Sequence, residues 1–140
     1  MTLANGIETQ DIEVWTEGSK IVFVGKPKAE ELDGKVFERE FDLKGNLLMP
    51  SFKNAHTHSA MTFLRSYADD MPLQDWLFKQ IFPMEAKLDG EKVYWLTKLA
   101  ILEYLTTGCT AAFDMYFELD DYVKACIESG FRSLLCGAVS

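Results

Sequence analysis

The sequence has 140 residues, 48% of them hydrophobic and 26% charged, with a formal charge of −8, which suits one globular domain with a real core. That acidic balance argues against a nucleic-acid or anionic-membrane surface, and no window approaches the ~18 apolar residues of a membrane span. Residues 1–10 lack the basic start and apolar stretch of a signal peptide. Cys109, Cys126 and Cys136, without a Cys-x-x-Cys pair, read as reduced thiols of a cytoplasmic protein.

Residues 12–16 alternate apolar and polar side chains, residues 17–20 carry turn chemistry, and residues 21–25 are more fully apolar. That pattern predicts a β-hairpin. Residues 27–34 are polar and read as loop, while residues 36–43 alternate imperfectly and read as a third strand of a small antiparallel sheet. The glutamates here form a solvated face.

The character changes at Leu47. Residues 47–52 read as a buried strand, and the next residues are Asn54-Ala55-His56-Thr57-His58-Ser59. In an extended strand His56 and His58 point to the same side, about 7 Å apart along the backbone. Two imidazoles converging from the end of an apolar strand can share one divalent ion, whereas an isolated histidine is more often an ordinary hydrogen-bonded residue.

After a long connection holding Arg65, Asp69 and Asp70, residues 73–82 carry apolar side chains three and four apart. They predict a short helix ended near Pro83. Its Trp76 and Phe82 are either pocket wall or plain core. Asp89 as N-cap and Gly108 as stop bracket a longer helix whose apolar face holds Val93, Leu96, Leu99, Ala100, Leu102 and Tyr104. Residues 109–115 then read as a strand. Residues 118–129 read as a helix with Tyr122, Val123, Ala125, Cys126 and Ile127 inward, and residues 131–139 as a further strand.

Strand, helix, strand, helix, strand predicts an α/β fold with a parallel sheet, covered on both faces and carrying its ligand site at the carboxyl ends of the strands. His56, His58 and Asp114 fall at those ends. A metal held by imidazoles lowers the pKa of a bound water toward about 7, and catalytic zinc ordinarily takes at least three protein ligands. The chain holds two histidines. Asp114, Asp69 and Asp70 are candidate oxygen ligands, each read more simply as a hydrogen-bonded or solvated carboxylate. Glu85, in an apolar setting after a helix, either binds substrate hydroxyls or faces water.

The run Met49-Pro50-Ser51-Phe52-Lys53-Asn54-Ala55-His56-Thr57-His58 resembles the Pro-Gly-Phe-(x)-Asn-x-His-Thr-His segment of the amidohydrolase superfamily. The likeness continues through Leu64-Arg65, Asp69-Asp70, Trp76-Leu77, Glu85-Ala86-Lys87-Leu88 and Asp114-Met115-Tyr116. It covers residues 20–139 and is similar to the branch of S-adenosylhomocysteine/5′-methylthioadenosine deaminases and triazine chlorohydrolases.

The resemblance implies the start of a (β/α)8 TIM barrel, about three of eight strands over residues 49–140. Strands of a small antiparallel β-sandwich would precede it over residues 1–48. It implies His56 and His58 as ligands of one divalent metal, zinc first with iron or nickel as alternatives, and Glu85 as the substrate-binding residue. The implied reaction is hydrolytic: metal-bound hydroxide attacks the amine-bearing carbon of an adenosine-type or other heterocycle, and ammonia leaves. The alternatives are a chlorohydrolase, a guanine- or cytosine-type deaminase, or, in another class, a non-catalytic binding module.

Ser51 and Lys53 depart from the family's usual glycine and apolar residue, and Cys136 lies where many relatives carry an arginine. A complete barrel takes ~250 residues, so the chain is expected to be an N-terminal portion of such an enzyme. The remaining ligands and every catalytic group would lie beyond it, leaving the chain inactive alone. The expected partners are a small heterocyclic substrate and further copies of the chain, with no nucleic acid and no membrane.

Overall fold

The computed structural model describes residues 12–137; the reading of residues 1–10 and the last residues of the closing strand lie outside them. The chain divides into two compact units, Met1–Pro50 and Ser51–Ser140.

In the first unit β1 (Glu13–Glu17) pairs antiparallel with β2 (Lys20–Gly25). Gly18 holds a left-handed φ of 58° in the connecting turn, a conformation glycine adopts without a Cβ penalty. Trp15 stacks on Phe23 with ring centres 4.3 Å apart and meets Phe37 edge-on at 5.2 Å, so aromatic contact supplies the hairpin's apolar cover.

Two expectations fail in this unit. Within the polar stretch 27–34, α1 (Ala29–Leu32) forms a single turn whose first N–H, that of Lys28, donates to Glu31 Oε2 at 2.7 Å. Residues 36–43 form no strand; Val36 is 93% exposed and Phe41 78% exposed. Alternation becomes a strand only where a neighbour accepts its backbone ladder, and β1 and β2 pair with each other.

The second unit is α/β. A parallel sheet in the order β3-β4-β5 is built from β3 (Phe52–Thr57), β4 (Cys109–Tyr116) and β5 (Arg132–Gly137). The strand expected from Leu47 begins only at Phe52, and Leu47 and Leu48 are exposed. A 3-10 helix (Ser59–Leu64) follows β3.

The next helical segment runs from α2 (Leu73–Asp75) through a π-helical stretch (Trp76–Ile81) into α3 (Phe82–Glu85), past the expected stop at Pro83. Proline lacks an N–H, and the π stretch absorbs the defect: the Phe82 N–H reaches back five residues to the Leu77 carbonyl, and Pro83 opens the next turn, where it is tolerated.

In α4 (Gly90–Thr106) the Asp89 side chain accepts from the Lys92 N–H at 3.0 Å, and Gly108 ends the segment with φ 82°. In α5 (Leu119–Ser129) the end is Gly130 at φ 63°. The buried face of α4 is narrower than the apolar pattern implied. Val93, Thr97, Ala100 and Ile101 are buried, while Leu99 and Leu102 are exposed. In α5 Tyr122, Ala125 and Cys126 are buried, while Val123 and Ile127 face out. Hydrophobicity marks a stripe, but the one sheet face available here covers only its centre.

The core gathers Ala60, Val93, Ile101, Ala112, Tyr116, Tyr122, Cys126 and Phe131. Each large member contributes about 1.5–3 kcal/mol of burial. It lies on one side of the sheet. On the other side Phe52, Phe113, Met115 and Leu134 are 60%, 44%, 41% and 69% exposed, so the expectation of two covered faces is corrected to one. No helix among the described residues is long and apolar enough to cross a membrane.

Candidate metal centre

The site grows from the pairing of β3 with β4. Phe52 lies opposite Cys109 and Lys53 opposite Ala111, so β4 carries one extra residue there. Asn54 then lies opposite Ala112 and Thr57 opposite Asp114, so β3 carries one extra residue in turn. Thr57 therefore shares the helix-covered face with Asp114, and the side chains flanking it, His56 and His58, emerge on the open face.

The two imidazole rings have centres 5.0 Å apart and planes inclined by 78°. His58 Nδ1 stands 2.7 Å from the Met115 carbonyl oxygen. A carbonyl only accepts, so Nδ1 carries the proton and Nε2 keeps its lone pair. His56 is exposed, and its backbone N–H donates to Asn54 Oδ1 at 3.2 Å.

The donor set fits a divalent ion. Zinc sits ~2.1 Å from an imidazole nitrogen, and ligating histidines ordinarily donate their second N–H to a carbonyl or carboxylate. His58 already makes that second bond, and the ring spacing lets both imidazoles reach one ion. Among the described residues, no group of three or more His, Cys, Asp or Glu side chains converges. The histidines are a pair. Asp114 is fully buried and takes the Ser59 N–H on its two carboxylate oxygens at 3.3 and 3.1 Å. Asp69 and Asp70 line a separate open recess with Ala68, Met71, Leu73 and Trp76. Phe82 is 45% exposed.

Glu85, at the end of α3, is half-buried, and its Oε1 accepts the Tyr116 hydroxyl at 2.8 Å. Burial first, and the neighbouring Glu85 carboxylate second, push the Tyr116 phenol well above its ordinary range. Three consecutive β4 residues thus each hold a piece of the region: Asp114 the Ser59 amide, Met115 the His58 ring, Tyr116 the Glu85 carboxylate.

Sequence reasoning passed over Tyr104, whose hydroxyl lies 2.6 Å from Thr57 Oγ1 and 2.9 Å from Ser59 Oγ. Its helical spacing marks it as core, and only its hydroxyl among apolar neighbours hints at a buried polar partner. The Met115 carbonyl carries no side-chain signal at all.

The two departures at the start of β3 explain each other. Lys53 Nζ donates to Ser51 Oγ at 2.7 Å and to Thr110 Oγ1 at 2.8 Å, at the strand end remote from the histidines. Cys136 is half-buried with its thiol 3.6 Å from the Asp114 carbonyl, and Cys109, Cys126 and Cys136 are free.

The amidohydrolase family pattern matches residues 47–139. A 5-methylthioadenosine/S-adenosylhomocysteine deaminase of Desulfitobacterium hafniense is 43% identical over 123 residues, which is 88% of this chain and 28% of that protein. A 5′-deoxyadenosine deaminase of Methanoregula boonei is 54% identical over 101 residues, 71% of this chain and 23% of that one.

A zinc-bound adenosine deaminase from Xanthomonas campestris superposes with a TM-score of 0.82 at 38% identity, covering 90% of this chain and 29% of its own. An atrazine chlorohydrolase from Arthrobacter aurescens, complexed with zinc, superposes with a TM-score of 0.78 at 21% identity, over 92% of this chain and 31% of its own, and shows the shared fold.

Fold and likeness together define a class built on a parallel α/β sheet. The chain belongs to the amidohydrolase family. It spans about 28% of the length of the Desulfitobacterium relative.

Proposed function

We propose that these residues contribute the opening of a (β/α)8 amidohydrolase barrel, with strands of a β-sandwich before it, to hydrolytic deamination of an adenosine-type nucleoside. The observation that carries the reading is the convergence of His56 and His58 with His58 Nδ1 tied to the Met115 carbonyl. The relatives support it: deaminases of 5-methylthioadenosine, S-adenosylhomocysteine and 5′-deoxyadenosine are 43% and 54% identical to this chain.

His56 and His58 hold one divalent ion, zinc by preference since the adenosine deaminase likeness is zinc-bound, with iron and nickel as alternatives. When bound, the ion supplies an activated water at neutral pH. The chain's own part is to present two imidazoles from one strand end, with His58 fixed in the tautomer that leaves Nε2 free. Glu85 accepts a hydrogen bond from Tyr116 on Oε1 and has Oε2 to offer a substrate hydroxyl. Two imidazoles are fewer than the three ligands a catalytic zinc takes, so the 140 residues alone bind zinc weakly and turn over no substrate. The free thiols suit a reducing cytoplasm.

Zinc titration by calorimetry tests the ligand pair. One ion should bind per chain, and His56→Ala and His58→Ala should each abolish it; equal uptake by either variant overturns the assignment. Assays with 5′-deoxyadenosine, 5-methylthioadenosine and atrazine, zinc added, should show no turnover. Robust deamination would refute the incomplete ligand set, and robust dechlorination would favour the chlorohydrolase reading. The open apolar sheet face and the edges of β3 and β5, unpaired among the described residues, drive self-association; a monodisperse monomer in light scattering would contradict that.

A further inference from the structure

Asp114 is fully buried, yet the chemistry above does not use it. A carboxylate is rarely placed in a core unless something there needs an acceptor. Both of its oxygens receive the backbone N–H of Ser59, at 3.3 and 3.1 Å, and the buried Tyr122 hydroxyl also faces the carboxylate. Ser59 is 2% exposed and starts the 3-10 helix, so the carboxylate satisfies an amide that the helix itself leaves without a partner.

His58 lies between two residues anchored on the covered side. Thr57 sits opposite Asp114 in the sheet and shares its hydroxyl with Tyr104 at 2.6 Å. Ser59 is held by Asp114 through its amide and by Tyr104 through its hydroxyl at 2.9 Å. With both neighbours fixed toward the helices, the intervening side chain is directed to the open face, where the ring meets the Met115 carbonyl.

We propose that Asp114 is a positioning residue for His58: its grip on the Ser59 amide fixes the turn that carries the ring onto the Met115 carbonyl and so selects the Nδ1–H tautomer. The proposal rests on the reading of His58 as a metal ligand only for its consequence; the tautomer itself is a property of the metal-free chain. A buried partner that orients a ligand in this way changes metal affinity 10–100-fold in general.

The test uses the full 140-residue chain, labelled uniformly with 15N, at a pH where the rings are neutral. In the unmodified chain the ring shifts of His58 should report Nδ1–H and the Ser59 amide should exchange slowly; an Nε2–H ring, or exchange at the rate of an open turn, overturns the proposal without any variant.

Asp114→Ala, with folding checked by circular dichroism, should release the ring to the mixture seen for free imidazole and weaken zinc binding about tenfold or more. Where alanine does not fold, Asp114→Ser serves, because its shorter side chain withdraws the acceptor from the amide. Asp114→Asn keeps an acceptor oxygen and should retain both the tautomer and zinc binding within about threefold. A folded Ala or Ser variant with His58 still Nδ1–H, or a folded Asn variant that loses it, overturns the proposal. Failure of the unmodified chain to bind zinc counts against the metal reading alone, since the tautomer is measured without metal.

Discussion

Replacing Tyr116 by phenylalanine removes one hydroxyl and little else. The ring stays 4% exposed and stacked on Phe117, with centres 4.2 Å apart and planes 20° apart, so packing is held constant. What disappears is the 2.8 Å bond to Glu85. A hydrogen bond to a charged group contributes about 1.5–3 kcal/mol, and Glu85 is half-buried, which places the loss near the lower end, about 1.5 kcal/mol.

With a urea m-value of about 1.5 kcal/mol per molar for a domain of this size, the unfolding midpoint should fall by about 1 M. The decisive measurement is a double-mutant cycle. Glu85→Ala should make Tyr116→Phe nearly free of further cost, leaving a coupling of about 1.5 kcal/mol. Additivity within about 0.3 kcal/mol would show that the bond carries no energy, and that Glu85 is not held for a substrate by Tyr116.

Thr97 Oγ1 is buried without a hydrogen-bond partner among the described residues, so Thr97→Val should raise stability by about 1 kcal/mol in the same urea assay. A Cβ on Gly90 would stand 1.9 Å from Asp121 Oδ2. That atom is the tip of a side chain that can rotate away, and alanine favours the helix that Gly90 opens, so Gly90→Ala should change stability by less than about 1 kcal/mol, and Asp121→Ala should make it stabilising in thermal melts.

Acid unfolding follows from three carboxylates held below their ordinary values: Asp89 by Lys92, Glu103 by Arg65, and Glu128 by Tyr94 and then Lys98. Their contribution is complete above 3.8 for Asp89 and 4.5 for the glutamates, and is lost as pH falls through the lower folded values. These pairs are exposed, so salt should weaken the effect. Burial raises the phenols of Tyr116 and Tyr122 above 10.0. Their contribution is complete below that value and is lost as pH rises past it, so melts should weaken in strong alkali.

The parallel strand–helix order was legible because glycine stops and an aspartate cap punctuate it: Asp89, Gly108 and Gly130 stand where the residue types place them. The shared direction of His56 and His58 was legible from alternation alone. Burial was not, because an apolar residue becomes core only if something covers it. Leu99, Leu102 and Ile127 lie outside the strip that meets the sheet. Residues 36–43 alternate as a strand does and have no pairing partner among the described residues. The third helix boundary failed at Pro83 because a π stretch can absorb a missing N–H that a regular helix cannot. The bond from His58 to a backbone carbonyl has no residue signature, and Tyr104 was hidden by its helical spacing among apolar neighbours.

The pairing offsets between β3 and β4 have a consequence for how this strand tolerates changes in length. Each strand carries one surplus residue, β4 near Thr110 and β3 at residues 55–56, and the two cancel before Thr57 meets Asp114. Strict alternation from Asn54 would have put His56 and His58 on the helix side with it. The surplus in β3 therefore sets the phase of the histidines. Loss of Ala55 would heal the offset, with His56 falling opposite Phe113 and Thr57 still opposite Asp114. Loss of Thr110 would heal the other offset in the same way, with Lys53 still opposite Ala111, but it would remove the threonine hydroxyl that receives Lys53 Nζ. A one-residue deletion thus leaves the ladder in register in either strand, and the two differ in the side chain lost: an exposed methyl in one, the acceptor of Lys53 in the other.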